Sequence, residues 1–279
     1  MNRLCCADQE TASCPSTSTW EEPSAASSCR VRPSRPLRIL HTADVHLESD
    51  IFAPGTEAQR LRENLRRAFT AVIQLANERQ VDLLLIAGDL FDSNRITDSA
   101  VAFARDEIAR AQMPVVMIPG NHDAHDESSI FPSFARLGLP ENLHLILDLE
   151  GQTIEFPQLQ ARVWGRAMRE HSTAYRPLDG LTPPVDGWWN IALAHGLFTE
   201  DEDGLRSSRI SATEIARSGY DYVALGHVHV FRDLSQGATS AAYSGAPAAA
   251  HSAADGGSAA HVICTPESGV IIEVVRLVD

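Results

Sequence analysis

The sequence predicts an α/β protein built from two packed sheets flanked by helices. Three observations predict it. The first half alternates short apolar runs with amphipathic helical periods, which implies parallel strands with covering helices. The second half is strand-rich and has few helical periods. The polar residues best suited to chemistry recur just after apolar runs, where strands are expected to end.

Taken in order, Leu37 to Thr42 reads as a short buried strand. Leu61, Leu65, Ala68, Phe69, Val72, Ile73 and Ala76 recur at helical spacing with Arg62, Glu63, Arg66, Arg67 and Gln74 opposite, an amphipathic helix. Val81 to Ala87 is a second apolar strand, ended by Gly88. Asp98 is placed to cap a helix running to about Gln112. Pro114 to Ile118 is a third strand, ended by Pro119-Gly120. In the second half, Leu143 to Leu147, Thr153 to Phe156 and Ala161 to Trp164 read as short strands, and Trp189 to Ala194 as a strong buried one. Ser211 to Ser218 is a short helix leading to the strand Tyr222 to Leu225. His261 to Cys264 and Val270 to Leu277 are the last strands. There is no internal repeat.

Residues 1–36 are rich in Ser, Thr, Pro and Cys without a hydrophobic period, so a disordered N-terminal tail is expected there, with one domain over 37–279. Cys5, Cys6, Cys14 and Cys29 fall in that tail and Cys264 alone in the body; their spacing matches no zinc knuckle and no disulfide framework, so free thiols are expected. The first residues hold one arginine and no apolar run behind it, and no stretch approaches the ~20 apolar residues of a membrane span. The expectation is a cytoplasmic protein with no membrane partner. The net charge is −14, and all 23 basic residues are arginine. That balance argues against coating nucleic acid non-specifically, which needs a basic surface.

Five expected strand ends deliver Asp, His and Asn. They are Asp44-Val45-His46, Gly88-Asp89-Leu90-Phe91-Asp92, Gly120-Asn121-His122-Asp123, His195, and Gly226-His227-Val228-His229. Carboxyl ends of strands are where α/β sheets bind ligands. Carboxylate, imidazole and amide oxygen together suit Mn, Fe or Zn better than Mg or Ca. Residues two apart would face opposite ways on a strand, but just past its end the backbone is able to turn both to one centre, and Gly88, Gly120 and Gly226 permit sharp turns and close approach. His41, His125, His144, His171, His251 and His261 read as structural histidines outside the metal site. For His125 with Asp126, a substrate contact is the alternative. Glu200 to Asp203 reads as a solvated loop, Trp188-Trp189 as core, and Arg166 and Arg169 as either surface charges or phosphate contacts.

The ordered series Asp44-x-His46, Gly88-Asp89-x-x-Asp92, Gly120-Asn121-His122-Asp123, His195, Gly226-His227-x-His229 resembles the full signature of the calcineurin-like metallophosphoesterases, over Leu37 to about Gly245. The resemblance implies their four-layer α-β-β-α sandwich of two mixed sheets. It also implies two divalent metal ions, with Mn first and Fe or Zn as alternatives, sharing a hydroxide that attacks a phosphoester. Asp44, His46 and His229 would hold one metal, and Asn121, His195 and His227 the other, with Asp89 bridging. His122 would stabilise the transition state or protonate the leaving oxygen, and Asp92 would orient His122. Two dications against two carboxylates and one hydroxide leave the site net positive and attractive to phosphate.

Ile39 to Leu47 and Gly88 to Asp92 are similar to the SbcD-type DNA-repair exonucleases, as is Tyr243-Ser244-Gly245-Ala246-Pro247. Ser93-Asn94 and Asp123 depart from the protein-phosphatase pattern. The branch resemblance implies a phosphodiester substrate such as DNA ends or single strands. The branch also continues into a DNA-capping domain and a segment that docks an ATPase partner. This sequence is expected to stop near the end of the catalytic sandwich, without the capping domain, which leaves the ATPase partner open. Two alternatives stand beside the exonuclease: a phosphodiesterase for cyclic nucleotides or other small diesters, and a non-catalytic metal-binding scaffold.

Overall fold

The structure, a computed structural model, describes residues 30–49, 55–200, 207–248 and 257–277. The chain divides into Met1–Arg30 and Val31–Asp279, and every element below belongs to the second unit. The four N-terminal cysteines, residues 201–203 of the acidic run, and His251 lie outside the described residues.

The elements run β1 (Leu37–Thr42), α1 (Thr56–Glu78), β2 (Leu83–Ala87), α2 (Asp98–Ala109), β3 (Val115–Ile118), α3 (Phe131–Arg136), β4 (Leu143–Leu145), β5 (Gln152–Phe156), β6 (Ala161–Gly165), β7 (Trp189–His195), β8 (Leu197–Phe198), β9 (Arg209–Ile210), α4 (Ala212–Ser218), β10 (Tyr222–Gly226), β11 (Arg232–Asp233), β12 (Ser240–Tyr243), β13 (Ser258–Thr265) and β14 (Gly269–Arg276). One sheet has the order β14-β13-β1-β2-β3-β4, with β1 to β4 parallel and β13 and β14 antiparallel. The other has the order β11-β12-β10-β7-β6-β5, with the four central strands parallel and the two edges antiparallel. Both sheets are therefore mixed.

Strand alternation builds the layers. Leu40, Leu84 and Ile86 face α1 to α3, joining Leu65, Phe69, Val72, Val101, Ile108 and Phe134. Their neighbours Ile39, Leu83 and Leu85 turn the other way and meet Val163, Ile191, Leu193 and Ala224 between the sheets. Trp164, Leu225 and Tyr243 cover the far face of the second sheet with Ile215 of α4 and Leu178. The result is the expected α-β-β-α sandwich. Burial on both faces explains why the central strands read as continuous apolar runs.

Local chemistry sets the element ends. Thr97, not Asp98, caps α2 by accepting the Ala100 N–H; Asp98 is the first helical residue, where its charge favours the helix N-terminus. At α4, Ser211 and Glu214 form a reciprocal capping box, and Gly219 ends the helix in the left-handed region. Residues at the end of the expected tail already touch the domain: Ser34 bonds the Gln160 side chain, and Arg35 pairs with Asp82 at 3.0 Å. Among the described residues, no helix is long and apolar enough to cross a membrane.

Candidate metal centre

The carboxyl ends of β1, β2, β3, β7 and β10 meet at one edge of the sandwich, three from one sheet and two from the other. After β1 the chain runs beside the β2 loop, with Asp44 N–H on the Gly88 carbonyl and His46 N–H on the Asp89 carbonyl, both at 3.1 Å. Asp44 (φ 55°), His46 (φ 52°), Asp89 (φ 52°) and His227 (φ 105°) all adopt the left-handed region that non-glycine residues avoid. Those turns bring Asp44 and His46 to the same side although they are two apart. Strain of this kind persists where the surroundings over-determine it.

Close approach explains the glycines. A Cβ at Gly120 would lie 2.6 Å from the Asp89 backbone nitrogen. One at Gly226 would collide with the Ala87 carbonyl and lie 2.7 Å from His195 Nδ1. The two sheets meet at this seam with no room for a side chain.

Two groups of side chains converge here. Ligand atoms of Asp44, His46 and His229 lie within 4.8 Å of one another, as do those of Asp44, Asp89 and His195. Asn121 Oδ1 is 3.0 Å from His195 Nε2 and 2.9 Å from His227 Nδ1. Asp89 Oδ2 stands between the groups, 3.2 Å from His195 Nε2 and 3.9 Å from His46 Nε2. All seven residues singled out as ligands are thus brought together.

The donor set fits cations. His195 Nδ1 lies 2.8 Å from the Ala87 carbonyl, so that nitrogen carries the N–H. In the neutral ring the Nε2 lone pair then faces the oxygens of both Asp89 and Asn121. Likewise His46 Nδ1 donates to Asp92 Oδ1 at 3.0 Å, which leaves its Nε2 3.2 Å from His229 Nε2. Lone pairs converging in this way need a proton or a cation among them. The titration follows. Burial resists charge on His195, but the adjacent Asp89 carboxylate lifts its pKa to about 9. Burial also disfavours the Asp89 charge, and the His195 imidazolium more than offsets it, holding that carboxyl well below the usual range. Burial pushes Asp44 up to about 6 and His227 down to about 3.

His122 and Asp92 complete the site. The Asp92 backbone carbonyl accepts from His122 Nδ1 at 2.9 Å, while its carboxylate stays 3.7 Å from that nitrogen and bonds His46 instead. The orienting contact to His122 thus runs through the main chain. The His122 side chain is 35% exposed, and its ring stands edge-on to His46 at 4.5 Å.

Three further residues shape the centre, among them His171, which reads from sequence as a structural histidine outside the metal site but borders it in the structure. Asp123, fully buried, accepts the Gly120 and Phe91 N–H groups and so ties the loops after β2 and β3. The Tyr243 hydroxyl donates to the Gly196 carbonyl and accepts the Phe198 N–H, each at 2.7 Å, anchoring the turn after His195. His171 lies against His227 with ring centroids 4.9 Å apart. The remaining histidines sit elsewhere: His41 bonds Tyr222, His144 stands edge-on to Phe156, His125 meets Ser129, and His261 contacts Arg79 and Glu273. Arg166 is engaged by the carbonyls of Leu149, Arg176 and Asp179, and Trp189 is core.

The sequence profile of the calcineurin-like phosphoesterases matches residues 37–231. The chain belongs to the calcineurin-like phosphoesterase family. The family is one of metal-dependent phosphoester hydrolases, and all seven expected ligands and His122 are present in this chain. The chain is 27% identical over 231 residues to the uncharacterized metallophosphoesterase YhaO of Bacillus subtilis (strain 168), a match covering 77% of this chain and 54% of that protein. It is 34% identical over 122 residues to the DNA double-strand break repair protein Mre11 of Methanosarcina acetivorans, covering 43% of this chain and 19% of that protein. The match thus spans about half the length of YhaO and less than a fifth of that Mre11. Among solved structures, TT1561 of Thermus thermophilus shares the phosphoesterase fold with a TM-score of 0.54 at 13% identity, over 88% of this chain and 100% of that one.

Proposed function

We propose that this phosphoesterase is a two-cation phosphodiesterase of DNA-exonuclease type, with Mn as the working metal. The observation that carries the reading is the convergence of Asp44, His46 and His229 beside Asp44, Asp89 and His195, with Asp89 Oδ2 between His195 Nε2 at 3.2 Å and His46 Nε2 at 3.9 Å. Asp44, His46 and His229 would hold one cation and Asn121, His195 and His227 the other, with Asp89 shared. Cations there supply a water nucleophile active at neutral pH and neutralise charge developing on the phosphoryl oxygens.

The chain's own residues do the rest. Asp92 holds the His46 tautomer through its carboxylate, and Ala87 does the same for His195 through its carbonyl. His122 donates its Nδ1–H to the Asp92 carbonyl, and in its imidazolium form the Nε2–H would hydrogen-bond a phosphoryl oxygen or pass its proton to the leaving alkoxide. Support for a DNA substrate comes from the resemblance to proteins named for double-strand break repair. Mn is favoured by a donor set that mixes carboxylate, amide oxygen and imidazole without thiolate.

A small diester is the second reading. It is favoured by the net charge of −14, which opposes a long polyanion. Hydrolysis of bis-p-nitrophenyl phosphate and of a labelled oligonucleotide, each with Mn added or chelated, separates the readings. Mn-dependent cleavage of both supports the nuclease. Cleavage of the small diester alone supports the second reading, and no cleavage of either rejects both.

A further inference from the structure

His171 lies outside the family signature, on the long connection between β6 and β7, yet that connection crosses to the metal centre. Its backbone is held on both sides of the histidine. The Met168 carbonyl accepts the His125 N–H at 2.7 Å, and the Ser172 carbonyl accepts the Ser208 hydroxyl at 3.3 Å. Between these anchors the His171 imidazole lies tilted by 43° against His227. Its Nδ1 is buried and has no hydrogen-bond partner among the described residues, although the ring as a whole is only half-buried. A buried, unpartnered nitrogen is costly, and a ring serving only to pack against His227 would be better as Phe or Leu.

The two imidazoles outside the ligand set are distributed between its two halves. His122 stands against His46 of the first group, and His171 against His227 of the second. A phosphoryl group seated between the groups presents oxygens to both sides. We propose that His171 is a substrate-contacting residue: with Nδ1 closed off by protein, its Nε2–H donates a hydrogen bond to a non-bridging oxygen of the bound phosphoester, from the side opposite His122. The inference rests on the phosphoesterase reading of the centre.

The test uses the full-length Mn-loaded protein and three readouts: bound metal per chain, KM for bis-p-nitrophenyl phosphate, and inhibition by inorganic phosphate. His171→Phe keeps the ring against His227 and removes the N–H. It should retain the wild-type metal content, raise KM, and weaken phosphate inhibition by about tenfold, as expected for one lost hydrogen bond to an anion. His171→Gln returns an N–H and should recover part of the inhibition. Unchanged KM and inhibition in His171→Phe would overturn the proposal. So would lost metal in that variant, which would make His171 a support for His227, and so would a Gln variant no better than Phe. A wild-type protein inactive on every phosphoester would instead reject the underlying reading of the centre.

Discussion

Asp92 holds two imidazoles with different atoms, its carboxylate taking His46 and its main-chain carbonyl taking His122. Replacing the side chain alone should separate the two jobs. Asp92→Ala is expected to weaken Mn affinity by about 10- to 100-fold while leaving turnover at saturating Mn close to wild type, read by Mn titration of activity. His122→Ala should do the reverse. It should lower turnover by roughly 10²- to 10⁴-fold with bound metal intact, whereas Asp89→Ala should lose both metals, as elemental analysis of the purified variants would record. The seven ligand candidates were legible because chemistry restricts them to a few residue types just past strand ends. The double use of Asp92 was not, since a main-chain hydrogen bond leaves no mark on residue identity. The place of His171 beside His227 was not legible either: it reads as a structural histidine because it sits in a long connection with no periodicity to say which way it folds back.

At the scale of elements, the seam between β2 and β10 is the tightest feature. Gly226→Ala would drive a Cβ into the Ala87 carbonyl at the end of β2. We expect a loss of about 1–3 kcal/mol in urea denaturation, together with weakened metal binding as β10 is pushed away. The long elements were legible. α1 declared itself by its apolar stripe, and α4, read as a short helix over Ser211 to Ser218, runs Ala212–Ser218. The short ones were not. β8, β9 and β11 have two residues each, too few to show an alternation, and α3 has six with a proline in its first turn. The start of α2 was misplaced by one because Thr97 and Asp98 are both good caps and only the hydrogen bond to Ala100 chooses between them, and its end falls at Ala109, short of the expected Gln112.

For the whole molecule, the two sheets are joined by a polar contact as well as by their shared core. His41 on β1 bonds the Tyr222 hydroxyl on β10 at 2.8 Å, fully buried. Burial lowers the His41 pKa to about 3, with the Leu225 carbonyl opposing in part. Between pH 6.5 and 3 the unfolded chain therefore binds a proton that the folded chain refuses, so acidification destabilises the fold through this window. His41→Leu should flatten the pH dependence of unfolding there by up to about 1.4 kcal/mol per pH unit, compared with wild type in chelator at about pH 7 and pH 5. Cations would also join the sheets, since the candidate ligands come from both. Metal at about 100 times its dissociation constant should add about 2.7 kcal/mol, visible as a fall in Tm on chelation. The sandwich itself was legible in the alternation of runs. The return of β13 and β14 to the first sheet was not, because apolar strands carry little information about which neighbour they choose.

That return has a consequence for how the protein is made. β1 lies between β2 and β13, and its partner on one side is Ser258–Thr265. At about 5–20 residues per second, a ribosome needs roughly 10–40 s to travel from the first strand to the last of its neighbours. Throughout that interval β1 lacks its β13 neighbour, and for most of it His227 and His229 have yet to reach Asp44. Newly made chains should therefore depend on chaperone shielding until late in synthesis, and fragments stopped before Ser258 should collect in the insoluble fraction.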